Sequence, residues 1–286
     1  MKNYVVFTDS SCDIYGGEIE KRGIRVVPLT FRFDGDGKEY TNYDMPISEF
    51  YQKMREGGVA KTAAVNTESF SSAFKTALDE GLDVLYIGFS SGLSTTYNSA
   101  RIAIGELKEE YPDSKLIAVD TLAASAGVTL LIDLVLKKQS EGASIEEAAE
   151  LAEKMKLNIA HWFTVDDLVY LKRGGRVSGA AALVGNLLGI KPVLHVDNDG
   201  HLVNVTKVRG RHSSLVAMAD KLGEGILPDS EVYISHSDSL SDAEKLAKII
   251  EDKYGYKTSL ITDVGPVIGA HSGPGTIALF FVAKER

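Results

Sequence analysis

The densest run of chemically useful side chains lies between Gly88 and Tyr97, where Ser90, Ser91, Ser94, Thr95 and Thr96 follow the apolar stretch Val84-Leu85-Tyr86-Ile87. That stretch is of strand type, it breaks at Gly88, and a helical pattern begins with Tyr97-Asn98-Ser99-Ala100-Arg101. A strand that stops in a Ser/Gly loop and turns into a helix gathers free backbone N–H groups and hydroxyl donors in one place. The positive end of the helix dipole points the same way, so the loop is a seat for an anion. Hydroxyls at a helix start also act simply as caps, and one loop alone does not separate the two roles.

Other candidate chemistry is thinner. Gly88-Phe89-Ser90-Ser91-Gly92 satisfies the nucleophile-elbow pattern, and Asp263 and His271 follow in the order of a serine hydrolase. Against an esterase using Ser90, Asp263 and His271, Leu93-Ser94-Thr95 intervene before the helix, and no His-Gly-Gly oxyanion segment lies upstream. The six histidines are scattered without a His-Glu-x-x-His or a cysteine pair, so no metal site is expected. Asp197-Asn198-Asp199-Gly200 reads as a hairpin turn rather than a calcium loop. Neither a Walker loop nor a dinucleotide fingerprint is present, so no nucleotide cofactor is expected of this chain itself. Cys12 reads as packed filler after a strand end. Two basic clusters, Lys172, Arg173 and Arg176 on a glycine turn and Lys207, Arg209 and Arg211 further on, are suited to phosphate or to a partner, or are ordinary solvated charge. His271 sits among Gly269, Gly273, Pro274 and Gly275, residues that bring backbone close to something.

A net charge of -9 over 286 residues argues against nucleic acid, whose phosphates need a basic face. With one cysteine no internal disulfide forms, and the N-terminal apolar run is too short for a signal-peptide core or a membrane span. The expectation is a soluble cytoplasmic protein with no stable membrane insertion. Hydrophobic content of 44% and charged content of 25% support a real core.

The elements that must position these residues divide into two rhythms. From residue 1 to about 155, strands at Tyr4–Phe7, Ile24–Leu29, Asp83–Ile87 and Lys115–Val119 alternate with helices, among them an unusually apolar one over Ala123–Lys138 and a capped one over Ser144–Lys156. Phe31–Asp44 reads as an irregular or hairpin excursion, and Lys61–Thr67 as a loop before a helix. This describes a Rossmann-like, doubly wound α/β domain with a parallel sheet. Its hydroxyl loops, after residues 7, 87 and 119, would all lie beyond the carboxyl ends of strands, where such sheets bind ligands. From 156 to 286 the pattern is that of an α+β domain, with a short helix over Val165–Lys172, a small-residue helix over Gly179–Leu188, and a hairpin of Ile190–Val196 with His201–Arg209. Gly265–Gly275 reads as a loop before a last strand, and the ligand is expected between the two domains.

Taken together, these residues resemble the DegV family. Thr8-Asp9-Ser10-Ser11 is similar to its opening motif, and Ser90-Ser91-Gly92-Leu93-Ser94-Thr95-Thr96-Tyr97 to its Ser-Ser-x-Leu-Ser-Gly-Thr-Tyr signature. Further similar blocks are Asp120-Thr121 with Ala124-Ser125-Ala126-Gly127, Tyr170–Arg176, Ile190-Lys191-Pro192 with Lys207–Gly210, and Gly269–Gly275. The resemblance implies a Rossmann-like domain plus an α/β domain with a long-chain fatty acid bound between them. It further implies a carrier, not an enzyme on its own, that presents the acid's carboxylate to a separate ATP-binding fatty acid kinase, which makes acyl phosphate for phospholipid synthesis. By resemblance Thr62 and Ser94 hold the carboxylate with His271 nearby and Ser91 and Thr95 beside them, and Arg173, Arg176 and Arg209 fall in blocks linked to phosphate handling or kinase docking. Two departures imply a reshaped head-group pocket. The family's Thr-Ser-Gln-Pro-Ser is Thr62-Ala63-Ala64-Val65-Asn66 here, and its Gly after Ser94 is Thr95.

A buried carboxylate must meet convergent donors or it protonates. Hydroxyls, loop amides and one imidazole suit the task, because a fixed cation would hold the head group too tightly for transfer. Leu130, Leu131, Leu183, Val184, Leu187 and Leu188 are candidates for an acyl tunnel, or are plain core. The esterase reading and that of a phosphate-ligand sensor stand as the alternatives.

Overall fold

A computed structural model describes residues 3–177 and 189–286. The chain begins with β1 (Tyr4–Asp9), α1 (Gly17–Arg22) and β2 (Arg25–Val27), then β3 (Thr30–Phe33), β4 (Tyr40–Thr41), α2 (Ile47–Arg55) and β5 (Ala60–Ala63). Next come α3 (Thr67–Asp79), β6 (Asp83–Gly88), α4 (Thr96–Glu110), β7 (Leu116–Asp120), α5 (Ala126–Ser140) and α6 (Ile145–Met155). Strands β1, β2, β6 and β7 form an all-parallel sheet in the order β2-β1-β6-β7. Every residue of β6 is buried, which is why this strand reads as an unbroken apolar run rather than an alternating one. Its side chains still alternate between two cores. Val84 and Tyr86 pack with Phe70, Phe74 and Leu107 of α3 and α4, and Leu85 and Ile87 pack with α5 and α6 on the other face.

Helix α6 starts with the expected capping box: Ser144 Oγ accepts from Glu147 N, and Glu147 Oε2 accepts from Ser144 N. Helix α5 is apolar nearly all round because it is covered nearly all round. It packs on β6 of the parallel sheet and on three strands of a second sheet.

That second sheet is built from β8 (Ile159–Thr164), β9 (Ile190–Val196), β10 (Leu202–Arg209), β11 (Val232–His236), β12 (Leu260–Asp263) and β13 (Ile277–Val282), in the order β10-β9-β8-β13-β11-β12. Only the β11–β12 pair is parallel. Between these strands run α7 (Val169–Arg173), α8 (Arg211–Gly225), α9 (Leu240–Tyr254) and α10 (Pro266–Ser272). Helices α8 and α9 cover the sheet face turned away from α5, where Met218, Leu222, Leu246 and Ile250 meet Ile234, Leu279 and Phe281. The β9–β10 turn closes as a hairpin through Asp197 and Gly200, as Asp-Gly text requires. A side-chain clamp also joins the two sheets' helices and strands. Arg22 of α1 bonds Asp133 of α5 through Nε (2.8 Å) and Nη2 (3.0 Å), and Tyr233 of β11 donates to the same carboxylate at 2.7 Å.

Two sequence expectations need correction. Ala60–Ala63, within text read as a loop, is a strand: it pairs antiparallel with β3 in a three-stranded sheet, β4-β3-β5, that packs Phe31 and Phe33 on Phe50 and Tyr51 of α2. Polar Thr62 lies on the more buried face and apolar Ala63 on the exposed one, so hydropathy does not alternate with the strand, and its partner is some thirty residues away. The glycine-rich Gly265–Gly275 text holds a helix, α10, opened by Pro266 at its first position. Its glycines serve close packing: a Cβ at Gly269 would overlap Tyr51, and one at Gly273 would overlap Tyr170. The expected helix over Gly179–Leu188, with Leu183, Val184, Leu187 and Leu188, lies outside the described residues.

Because α5 has both faces in the core, Leu131→Ala should destabilise the protein by about 2–5 kcal/mol, read from the midpoint of urea unfolding. A loss near zero would mean that the two sheets do not share this helix as a common core.

Candidate functional site

The loop after β6 is held by backbone first. Ser90 N donates to Ala123 O (3.0 Å), and Leu93 N and Ser94 N both return to Ser90 O at 3.1 Å. Two aspartates at strand ends then fix it to its neighbours. Asp9, buried at the end of β1, accepts from Phe89 N (3.0 Å), Tyr86 Oη (2.6 Å) and Ser11 N (3.0 Å). Burial pushes its pKa up and these donors pull it back. Asp120, at the end of β7, accepts from Ser91 N at 3.1 Å and Leu122 N at 3.2 Å. Ser94 performs the capping task open to such residues: its Oγ accepts from Thr96 N at 3.2 Å and bonds Thr96 Oγ1 at 2.9 Å. It does so while facing a cavity.

That cavity, of about 420 Å³, is lined at its polar part by Thr62, Ser91, Ser94, Thr95, Arg176 and His271. Its other walls include Phe89, Phe163, Leu171, Leu202, Val267 and Phe280. Such a volume and such a balance of apolar wall with a few converging polar groups are those of a small-molecule site. Thr62 arrives on β5 and His271 on α10, and Thr62 Oγ1 lies 2.8 Å from His271 Nε2. Gly174 passes so close to the His271 ring that a Cβ there would overlap Nδ1, which has no hydrogen-bond partner among the described residues. Burial, and secondarily the charge of Arg176, pushes the His271 pKa down to about 4, so the imidazole is neutral at physiological pH.

Helix α10 is positioned by polar groups that sequence reasoning missed. Asp13 Oδ1 accepts from Gly265 N at 2.9 Å, and Ser125 Oγ donates to Asp13 Oδ2 at 2.5 Å. Asn42 accepts from Val267 N (3.0 Å) and donates to Ser10 O (2.7 Å), and Tyr51 Oη donates to Val264 O at 2.6 Å. Asp13 and Ser125 both have positive φ, 58° and 55°, a conformation non-glycine residues adopt only under strong constraint. No spacing rule reveals such residues, since each partner lies more than thirty positions away.

The structure therefore brings Thr62, Ser91, Ser94, Thr95 and His271 to one cavity and adds Arg176. This arginine was expected in phosphate handling or kinase docking, and it is half-buried at the cavity, with Nε donating to Leu93 O (3.2 Å) and Nη1 to Gly174 O (2.5 Å). The expectation that no cation lines the head-group end is thus corrected. Arg173 and Arg209 are exposed and do not line the cavity, and Arg173 lies over the Tyr170 ring at 5.7 Å. Arg211 is committed internally, to Asp242 Oδ2 (2.8 Å) and Gly275 O (2.6 Å). Leu130 and Leu131 belong to the core around α5 and not to the cavity wall. The serine-hydrolase constellation is not assembled. Ser90 donates to Gly200 O at 2.9 Å, Asp263 sits 3.4 Å from His236, and His271 is bonded to Thr62. Cys12 is buried, and burial pushes its thiol pKa up, as suits filler. Among the described residues no group of three or more metal-ligating side chains occurs, and no helix is long and apolar enough to cross a membrane.

Comparison with known proteins adds independent findings. The family model described as DegV, a family of uncharacterised proteins, matches residues 3–284. A DegV domain-containing protein of Clostridium perfringens is 42% identical over 291 residues, covering 100% of this chain and 99% of its own length. A Thermotoga maritima protein named fatty acid-binding protein is 34% identical over 289 residues, covering 98% of each chain. The crystal structure of a stearic acid-binding protein from Eubacterium ventriosum superposes with a TM-score of 0.89 at 27% identity, over 98% of each chain.

The depressed pKa of His271 fixes the sign of its linkage to stability. A base whose folded pKa lies near 4 and whose unfolded pKa lies near 6.5 binds fewer protons when folded, so its contribution is present above about pH 6.5 and lost as pH falls toward 4. Stability measured from pH 7 down to 4 should fall less steeply in His271→Asn than in the parent, and NMR should show the ring uncharged at pH 6. An ordinary titration midpoint near 6.5 would contradict the burial described here.

Proposed function

The chain belongs to the DegV family, and from that premise we propose that it binds a long-chain fatty acid and acts as a carrier, not as a catalyst on its own. The observation that carries this reading is the meeting of Thr62, Ser94 and His271 at the polar end of a cavity whose remaining walls are largely apolar. In this reading Thr62 and Ser94 donate their hydroxyl protons to the carboxylate. Neutral His271 then donates from Nε2 to Thr62 Oγ1, so that the threonine proton is free to point at the ligand. Ser91 and Thr95 flank the head group, and Arg176, part of whose guanidinium is already spent on carbonyls, offers charge without a full bidentate grip. The acyl chain lies along Phe89, Phe163 and Phe280. Each methylene buried there contributes about 0.8 kcal/mol, so a long chain gains on the order of 10 kcal/mol before ordering costs.

The reading takes residues 1–155 and 156–286 as the two domains, with the ligand where they meet. A separate ATP-dependent fatty acid kinase is the partner that receives the carboxylate to make acyl phosphate for phospholipid synthesis, and exposed Arg173 and Arg209 are candidates for docking it. This part rests on the family resemblance of those blocks and on their exposure.

Denaturing the purified protein and analysing the extract by lipid mass spectrometry should release a fatty acid, and palmitate or oleate should raise its melting temperature. Recovering no lipid and seeing no thermal shift would reject the reading. Thr62→Val and Ser94→Ala should each weaken oleate binding by roughly 10–100-fold, the worth of one hydrogen bond to a charged group. The double substitution Arg173→Glu with Arg209→Glu should leave oleate affinity unchanged while abolishing acyl phosphate formation with the kinase.

A further inference from the structure

Past β13, one side chain gathers main-chain carbonyls from distant parts of the fold. A guanidinium carries five N–H donors in a fixed plane. Those of Arg286 all go to backbone: Nε to Ile159 O at 3.1 Å, Nη1 to Leu122 O and to Asp197 O at 3.2 Å, and Nη2 to Thr121 O at 3.4 Å and Lys156 O at 2.5 Å. Arg22 and Arg211, by contrast, are committed to the carboxylates of Asp133 and Asp242. Burial draws the Arg286 pKa down to about 10, so the group keeps its charge at neutral pH and its bonds are charge-assisted. A lysine, whose donors sit on a single atom, cannot span these positions.

The carbonyls belong to three places. Lys156 and Ile159 lie where the chain leaves α6 and enters β8, Thr121 and Leu122 follow β7, and Asp197 opens the β9–β10 turn. The last two places are also the supports of the Ser90–Ser94 loop. On one side, Thr121 gives both its N–H (3.2 Å) and its hydroxyl (2.7 Å) to Gly88 O, while Asp120 and Ala123 O hold Ser91 N and Ser90 N. On the other, Gly200 O receives the Ser90 hydroxyl, and a Cβ at Gly92 would overlap the carbonyls of Asp199 and Gly200. Ser94 is held in turn by its N–H bond to Ser90 O.

Backbone strain falls at the same point. Leu122 has a φ of 52°, a left-handed conformation that leucine adopts only where its surroundings impose it. Its N–H is given to Asp120 Oδ1 and its carbonyl to Arg286, so the strained residue is pinned on both sides. Arg286 itself does not line the cavity, and any influence it has on a ligand passes through the segments it holds.

We infer that Arg286 is a positioning residue of the head-group site, holding the loop after β7 and the β9–β10 turn at the separation that aims Ser91 and Ser94 at the carboxylate. This rests on the fatty-acid reading above and adds to it a residue that the ligand does not touch.

Oleate and oleyl alcohol share one hydrocarbon chain and differ in the charge of the head group. Their dissociation constants, measured by calorimetry on the full chain and on Arg286→Lys, separate positioning from general support, because the variant keeps the charge and loses the fork. The preference for oleate over the alcohol should fall by about tenfold in the variant, the worth of one hydrogen bond to a charged group, with oleyl alcohol held within about threefold. Equal weakening of both lipids would mean general support only, and that outcome, like unchanged affinities, overturns the inference. If the parent does not bind oleate, the fatty-acid reading itself fails and this one falls with it. Should the variant not fold, linkage lets the parent decide. Oleate must then slow the exchange of the Arg286 guanidinium protons, followed by NMR, by about threefold or more relative to oleyl alcohol, and equal exchange with both ligands overturns the assignment.

Discussion

Buried carboxylates at the ends of strands hold this molecule's polar cavity together. Asp9 reaches from the end of β1 to the backbone of the Ser/Gly loop after β6, and Asp13 reaches from the same first loop to the start of α10. Neither is paired with a cation in these contacts. Each is matched instead by amide and hydroxyl donors, so the cost of burying it is met by groups whose positions are then fixed. Removing either would leave donors from two different stretches of chain unpaired at once, and Ser94, Thr62 and His271 would lose their common reference.

The second constraint is α5, the helix that both sheets use. It packs on β6 from one side and on β8, β11 and β13 from the other, and the Arg22–Asp133–Tyr233 clamp ties the same arrangement at the middle of the helix. The cavity opens just N-terminal to this helix, beside Ala124 and Ser125. Its walls are therefore set by the packing of whole elements and not by loops alone, which is the condition for a site to keep its geometry without a ligand.

Much of this was legible in the sequence. The parallel strands showed as apolar runs ending in hydroxyl loops, α6 showed its capping box, and the β9–β10 hairpin showed in Asp197–Gly200. Thr62, Ser94 and His271 could be named from the motifs and do face one cavity. What stayed hidden depends on distant partners. Strand β5 has no matching alternation of apolar and polar residues and exists because β3 pairs with it. The glycines of α10 looked like loop because their reason, three tyrosines pressing on the helix and its N-terminal flank, comes from elsewhere in the chain. For Arg176 the sequence left phosphate, a partner and solvated charge all open, because nothing local tells that Leu93 O and Gly174 O draw it inward. The apparent Ser-Asp-His order was an accident of spacing, and the contacts of Ser90 alone undo it.

One of those contacts has a bearing on how this chain can vary. The carbonyl of Gly200, at the tip of the β9–β10 turn, receives the Ser90 hydroxyl, and a Cβ on Gly200 would strike Ser90 and crowd Leu122. The turn therefore works as a ruler: its length is measured against a loop more than a hundred positions earlier. Insertions, which surface turns generally tolerate, would here pull the Gly200 carbonyl away from the Ser90 hydroxyl.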